Sequence, residues 1–276
     1  MRIRVVEERP RTERDDPVLM IHGLGGWAEN WRSVMPAIAE SGRRAIAFDL
    51  PGFGESDRPR RHGHFDPARP LYAPFVFALL DALDVGRAHI AGHSLGGAAA
   101  YTAAGWCPER TRSLTLIAPG GLGASLAREF RMLTLPGMGL LARLWRTPTA
   151  TRQILYACFY DPAACPDDLL AEALRYGPPS VGEMVRALRS SVSFRHGVRD
   201  EIRRAWLERG KRYQGRTLVV WGREDAILPA SDAEEARSLS ARSEVRLIDR
   251  CGHLVMAECP RELLDVMLPF LDGAAA

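Results

Sequence analysis

His89-Ile90-Ala91-Gly92-His93-Ser94-Leu95-Gly96-Gly97-Ala98-Ala99-Ala100 decides how the chain is read. An apolar run ends in G-x-S-x-G and passes directly into a small-residue stretch of helical composition. The motif carries meaning only in that setting of strand, abrupt turn and helix. So sharp a turn crowds the backbone at the turn residue, which is tolerable only where its neighbours lack bulk. Gly92, Gly96, Gly97 and the alanines supply the room. Ser94 is thereby lifted clear of the strand at a helix N-terminus, where free N–H groups and the dipole favour negative charge. Alone the motif is weak, so its surroundings must support it.

Outward from that point, short apolar runs recur at Ile3–Val6, Val18–Ile21, Ala45–Phe48, Ala88–Ala91, Leu114–Ala118, Leu218–Trp221 and Val245–Ile248. Each is bounded by Gly, Pro or charge and reads as a buried strand. Helix-period stretches fill most of the gaps: Trp27–Glu40, Phe75–Leu83, Leu95–Trp106, Ser231–Ser240 and Arg261–Leu271. Strands alternating with helices predict an α/β fold, a mostly parallel sheet covered on both faces. Residues 119–215 break the rhythm. They hold no convincing strand but show helical patterns near Leu126–Leu144, Thr149–Phe159, Asp167–Arg175, Val181–Val192 and Arg199–Arg209. So long an interval between strands is expected to be a helical cap laid over a core made of residues 1–118 and 216–276.

Composition narrows the function classes. The 276 residues are 46% hydrophobic and 26% charged, ordinary for a globular chain. No apolar run approaches the ~18 residues of a membrane span. The start, Met1-Arg2-Ile3-Arg4-Val5-Val6-Glu7, lacks the apolar stretch of a secretory signal. Lys211 is the only lysine, yet 37 basic residues are nearly balanced by 34 acidic ones, and they are scattered. That is no nucleic-acid footprint. Cys107, Cys158, Cys165, Cys251 and Cys259 make an odd count without C-x-x-C, which suggests reduced thiols and a cytoplasmic setting.

A hydrolytic serine needs an oxyanion hole, a base and an orienting acid. Val18-Leu19-Met20-Ile21-His22-Gly23-Leu24-Gly25-Gly26 is a strand ending in a Gly-rich loop. Its Leu24 N–H, with the Leu95 N–H, is the candidate pair of oxyanion donors. Leu218-Val219-Val220-Trp221-Gly222-Arg223-Glu224-Asp225 sets carboxylates just beyond a strand end. Val245-Arg246-Leu247-Ile248-Asp249-Arg250-Cys251-Gly252-His253 does the same with a histidine. Ser94, Asp225 and His253 thus follow the carboxyl ends of strands, where α/β proteins build sites. Asp225 is favoured as orienter because an apolar-Pro turn follows it, with Glu224 and Asp249 as alternatives.

Taken together, His22-Gly23-Leu24-Gly25-Gly26, Asp49-Leu50-Pro51-Gly52-Phe53-Gly54-Glu55-Ser56, Gly92-His93-Ser94-Leu95-Gly96-Gly97, Trp221-Gly222-Arg223-Glu224-Asp225 and Gly252-His253 are highly specific. Over nearly its whole length the chain resembles α/β-hydrolase-fold serine hydrolases, in which the order Ser, Asp, His is the expected one. The resemblance implies a mostly parallel eight-stranded sheet with the cap between core strands 6 and 7. It also implies a cofactor-free, metal-free two-step mechanism through an acyl-enzyme. Relatives with an aspartate nucleophile, the dehalogenases and epoxide hydrolases, are disfavoured by Ser94. Ala118-Pro119-Gly120-Gly121-Leu122-Gly123 and Phe159-Tyr160-Asp161 are similar to C–C bond hydrolases of aromatic meta-cleavage products. Those usually carry Asn before the serine and Trp after the histidine, where this chain has His93 and Leu254. The expectation is therefore a carboxylesterase-like enzyme acting on a small to medium ester as monomer or homodimer, with C–C hydrolysis as the alternative. A non-catalytic interaction module keeping the same fold is the third reading.

Other signals carry less. His62-Gly63-His64-Phe65-Asp66 imitates the start of a metal site, but Pro67 follows and no further ligands complete it. Cys251 lacks an elbow and reads as a packed thiol. Phe130, Met132, Leu133, Leu135, Met138, Leu140, Leu141, Leu144 and Trp145 form an apolar band, read mainly as cap packing. Arg128, Arg131, Arg143, Arg175 and Arg195 are candidates to hold a substrate carboxylate.

Overall fold

The computed structural model describes residues 1–59, 72–144 and 147–273; His62, His64, Asp66 and Trp145 fall outside them. Seven strands form the main sheet among these residues: β1 (Val5–Glu8), β2 (Val18–Ile21), β3 (Ala45–Phe48), β4 (Ala88–His93), β5 (Thr111–Ile117), β8 (Thr217–Gly222) and β9 (Ser243–Ile248). Their spatial order is β1-β3-β2-β4-β5-β8-β9, with β1 antiparallel to β3 and every other pairing parallel. The count is one fewer than the resemblance implies. Residues 9–17 carry two prolines and a run of charge, so only one strand precedes β2. The long helical interval accordingly sits between the fifth and sixth strands of this sheet, β5 and β8.

Alternation along each strand divides the core in two. Leu19, Ile21, Ile46, Phe48, Ile90, Leu116, Val219 and Trp221 face one way, against α2 (Tyr72–Ala82), α3 (Leu95–Trp106) and α8 (Asp200–Gly210). Val18, Met20, Ala45, Ala47, Ala91, Leu218 and Val220 face the other, against α1 (Met35–Glu40), α9 (Val255–Glu258) and α10 (Pro260–Leu271). Side chains of adjacent strand residues point to opposite faces, so a strand covered on both faces must be apolar throughout. β2, β3 and β8 are buried at every residue.

Between β5 and β8 the chain makes α4 (Arg128–Met132), α5 (Met138–Leu144), α6 (Pro148–Tyr156), α7 (Asp167–Ser191) and a ribbon of β6 (Val192–Ser193) with β7 (Gly197–Val198), ending in α8. One expectation fails here. The sequence suggests two helices parted by Gly177-Pro178-Pro179, yet α7 runs through them. A proline's fixed φ suits a helix; what it removes is one N–H per ring. Contacts with the core hold the turns on either side: Arg32 pairs with Asp168 and Glu172, Tyr176 Oη donates to Glu55 at 2.9 Å, and Arg58 donates to the Pro179 carbonyl at 2.6 Å. No helix among the described residues is long and apolar enough to cross a membrane.

Candidate active site

The strand order reverses between β2 and β4, since β3 lies outside β2 and β5 outside β4. A doubly wound sheet opens a crevice at the carboxyl ends of the strands where its order reverses. The His22–Gly26 loop follows β2 and Ser94 follows β4, so both stand at that crevice. Ser94 occupies the left-handed region, φ 52° and ψ −117°, as the residue immediately before α3. Its backbone is fastened to β5 and the loop after it: Ser94 N–H donates to Ile117 O at 2.9 Å, and Gly120 N–H donates to Ser94 O at 2.8 Å. A Cβ at Gly92 would collide with the Gly96 carbonyl, and one at Gly96 with the carbonyl of Ile21. Both glycines are thus demanded by close backbone approach around the serine.

Asp225 and His253 meet directly, with His253 Nδ1 2.7 Å from Asp225 Oδ2 and both side chains buried. The same Oδ2 accepts the indole N–H of Trp221 at 3.1 Å. Oδ1 accepts the backbone N–H groups of Ile227 and Leu228 at 2.8 and 3.0 Å. Four donors fix this carboxylate. The alternatives are engaged elsewhere: Glu224 accepts the Cys251 N–H at 3.0 Å, and Asp249 pairs with Arg223 at the surface. Geometry brings Asp225, and neither of them, to the histidine.

Ser94 and His253 line one cavity with Gly23, Leu24 and Trp27, beneath Leu126, Phe130, Ile154, Leu155 and Met184 from the helical interval. No hydrogen bond joins Ser94 to His253, though both face the same cavity. The Leu24 and Leu95 N–H groups donate to nothing among the described residues. The loop bearing Leu24 is shaped by His22, whose Nδ1–H donates to Gly23 O at 2.7 Å while its Nε2 accepts the Leu50 N–H at 2.8 Å. Burial holds His22 below the usual histidine range, in keeping with that neutral ring. Asp49 secures the next turn by accepting the Ala28 N–H at 2.7 Å. The Asp49–Ser56 motif thus buttresses the His22–Gly26 loop through Asp49 and the Leu50 N–H.

Three contributors, two of them inside the quoted motifs, have no role that the sequence assigns. His93 Nε2 lies 2.9 Å from the His253 backbone oxygen, and Trp221 and Glu258 hold neighbours of the histidine. The candidate arginines are not brought to the site. Arg128, Arg131, Arg175 and Arg195 are absent from the cavity wall; Arg131 donates to the Phe194 carbonyl and Arg175 pairs with Glu55. The side chain of Arg143 falls outside the described residues. Cys251 is buried, its thiol pushed up by burial. Cys158, at the cavity edge, is pushed up to about 12 by burial, with the charge of Asp225 adding to it.

Residues 16–159 match the family described as alpha/beta hydrolase fold. The chain belongs to that family and is an α/β hydrolase. It is similar to the dihydrolipoyllysine-residue acetyltransferase component of the acetoin cleaving system of Pseudomonas putida, at 35% identity over 260 residues. The match covers 94% of this chain but 64% of that relative, so the chain spans less than two thirds of its length. It is 31% identical over 268 residues to the 2-hydroxy-6-oxo-6-phenylhexa-2,4-dienoate hydrolase of Burkholderia cepacia, covering 93% of this chain and 87% of that one. Among solved structures a bacterial membrane phospholipase A matches with a TM-score of 0.77 at 27% identity, covering 98% of this chain and 83% of that one.

Proposed function

We propose that this α/β hydrolase cleaves carboxylic esters through Ser94, His253 and Asp225, with the part of residues 119–215 that precedes α8 serving as a cap, since α8 packs on the sheet itself. The cavity carries the reading. It is predominantly apolar, it sits over the serine and histidine, and no Arg or Lys is found among its described lining residues. Such a space suits a neutral acyl group.

In the proposed course His253 Nε2 takes the Ser94 proton as Oγ attacks the ester carbonyl. Asp225 keeps the Nδ1–H in place and stabilises the imidazolium that forms. The carbonyl oxygen becomes an oxyanion between the Leu24 and Leu95 N–H groups, at the N-terminus of α3. His253 then returns the proton to the departing alcohol, leaving an acyl-enzyme on Ser94. Water enters, gives a proton to His253 and attacks the acyl carbon. Collapse releases the acid and restores the serine hydroxyl.

C–C bond hydrolysis is the second reading, favoured by the dienoate hydrolase among the relatives. A dienoate brings a carboxylate, and a buried charge calls for a partner of opposite sign. The lining described here offers none, which supports the ester. The test is hydrolysis of p-nitrophenyl esters from acetate to laurate by the wild type and by Ser94→Ala. Turnover in the wild type with a loss of about a thousandfold or more in the variant is expected. A variant retaining more than a few per cent of activity would sink the assignment. Turnover of a ring-fission dienoate without any ester turnover would transfer it to C–C cleavage.

A further inference from the structure

Glu258 ends α9, outside both the triad and the cavity wall. Its carboxylate is shared between two parts of the chain far apart in sequence. Oε2 accepts the N–H of Gly252, the residue before His253, at 2.7 Å. Oε1 accepts the N–H of Asp161 at 2.9 Å. Asp161 belongs to the strap that leaves α6, and the same strap touches the histidine directly. The Cys158 carbonyl accepts the His253 N–H at 2.8 Å and the Leu254 N–H at 3.1 Å. Phe159, between these two anchors, is buried in the core cluster that contains Leu254 and Val255.

The backbone at His253 is therefore held by the helical interval as well as by the strand that precedes it. Ile154, Leu155 and Cys158, from α6 and the strap, also line the cavity. Whatever fixes the strap fixes the histidine and the cavity wall together. We infer that Glu258 is a positioning residue, whose two oxygens lock the His253 loop onto the strap so that cavity wall and base keep one register. The inference rests on His253 being the base, as proposed above.

The chemistry of the side chain makes this testable. A carboxylate accepts at both oxygens, whereas an amide accepts at one and presents N–H at the other. Glu258→Gln can hold either Gly252 or Asp161, and Glu258→Ala holds neither. A misplacement of about 1 Å at a reacting group costs up to about a hundredfold in rate. The experiment measures kcat and KM on a p-nitrophenyl ester per active site. Sites are counted by fluorophosphonate titration of Ser94, and the labelling rate and Tm are recorded in parallel.

Glu258→Ala is expected to lower kcat and the labelling rate by about 10- to 100-fold, with KM within about threefold. Glu258→Gln should fall between it and the wild type, and it serves alone if the alanine variant does not fold. A kcat per titrated site that stays at the wild-type value, with only Tm reduced, overturns the inference. So does a rise confined to KM. A wild type that neither turns over nor is labelled at Ser94 removes the serine-hydrolase reading itself, and this inference with it.

Discussion

His93 and His253 are joined from ring to backbone: His93 Nε2 lies 2.9 Å from the His253 carbonyl oxygen, and the two rings stand 4.6 Å apart at 56°. A carbonyl accepts only, so Nε2 carries the proton. Burial, with the neighbouring His253 adding to it, holds His93 well below the usual histidine range, and the ring is the neutral donor this bond requires. His93→Ala strips the donor and opens a void beside His253. An unsatisfied buried carbonyl costs about 1–3 kcal/mol. Steady-state kinetics and thermal melts of His93→Ala and His93→Gln should show kcat reduced and Tm lowered in both. The glutamine variant, which can still present an N–H, should lose less. Equal losses would mean that the ring matters by volume and not by its N–H.

Asp225→Asn should be severe because of the way its oxygens are used. Oδ1 already accepts from Ile227 and Leu228, so an asparagine is best placed with its oxygen there and its NH2 toward His253. An NH2 facing Nδ1 favours the tautomer with its proton on Nε2, which cannot take the serine proton. Neither Glu224 nor Asp249 stands in, since each is engaged elsewhere. A kcat loss of about 10³- to 10⁴-fold is expected, measured beside Ser94→Ala on one ester. A loss below tenfold would show that another group orients the histidine.

Stability should fall on the acid side before most carboxylates titrate. Burial, opposed in part by Asp15, pushes His89 down to about 4; burial also lowers His22 and His93. In the unfolded chain each titrates near 6.5. Between about 6.5 and 4 the unfolded chain therefore takes up protons that the folded one refuses, and stability drops as pH falls. The slope reaches at most about 1.4 kcal/mol per pH unit for each such histidine. Melts at pH 7.5, 6.0 and 5.0 should show a falling Tm. The contribution of His89 should level off below about pH 4, once both states are protonated. A Tm unchanged between pH 7.5 and 5.0 would contradict the buried neutral histidines.

Legibility in the sequence followed the physics of each element. Val18–Ile21 and Ala45–Phe48 are found with the bounds their apolar runs suggest, because both faces are covered and nothing polar intrudes. Leu95–Trp106 likewise matches, its start set by the elbow. Thr111–Ile117 was harder to bound, since polar Thr111, Ser113 and Thr115 are nonetheless buried. The helix through Pro178 and Pro179 was hidden because tertiary contacts, absent from any local pattern, hold it together. Ser94, Asp225 and His253, the proposed triad, each follow a strand in a fixed order, and the fold brings Asp225 to His253 and sets Ser94 on the same cavity. Trp221, His93 and Glu258 carry no such pattern: His93 reaches the His253 carbonyl and Glu258 the Asp161 N–H across long separations, while Trp221 reaches Asp225 and Glu258 reaches Gly252 only as the intervening turns fold.

The helical interval leaves the sheet after β5 and returns on β8, and these strands are neighbours, with Ile117 opposite Val220. Closing a longer loop between two fixed ends costs only logarithmically more entropy. The gap is therefore a seam at which the helical interval can change in length at little entropic cost while the sheet, the turn at Ser94 and the turn at Asp225 stay as they are. What any replacement segment must bring is small: a backbone carbonyl where Cys158 has one, and an N–H where Asp161 presents its own. On the proposed reading, the wall of the cavity can thus change almost separately from the triad beneath it, with a few hydrogen bonds as the adaptor between them.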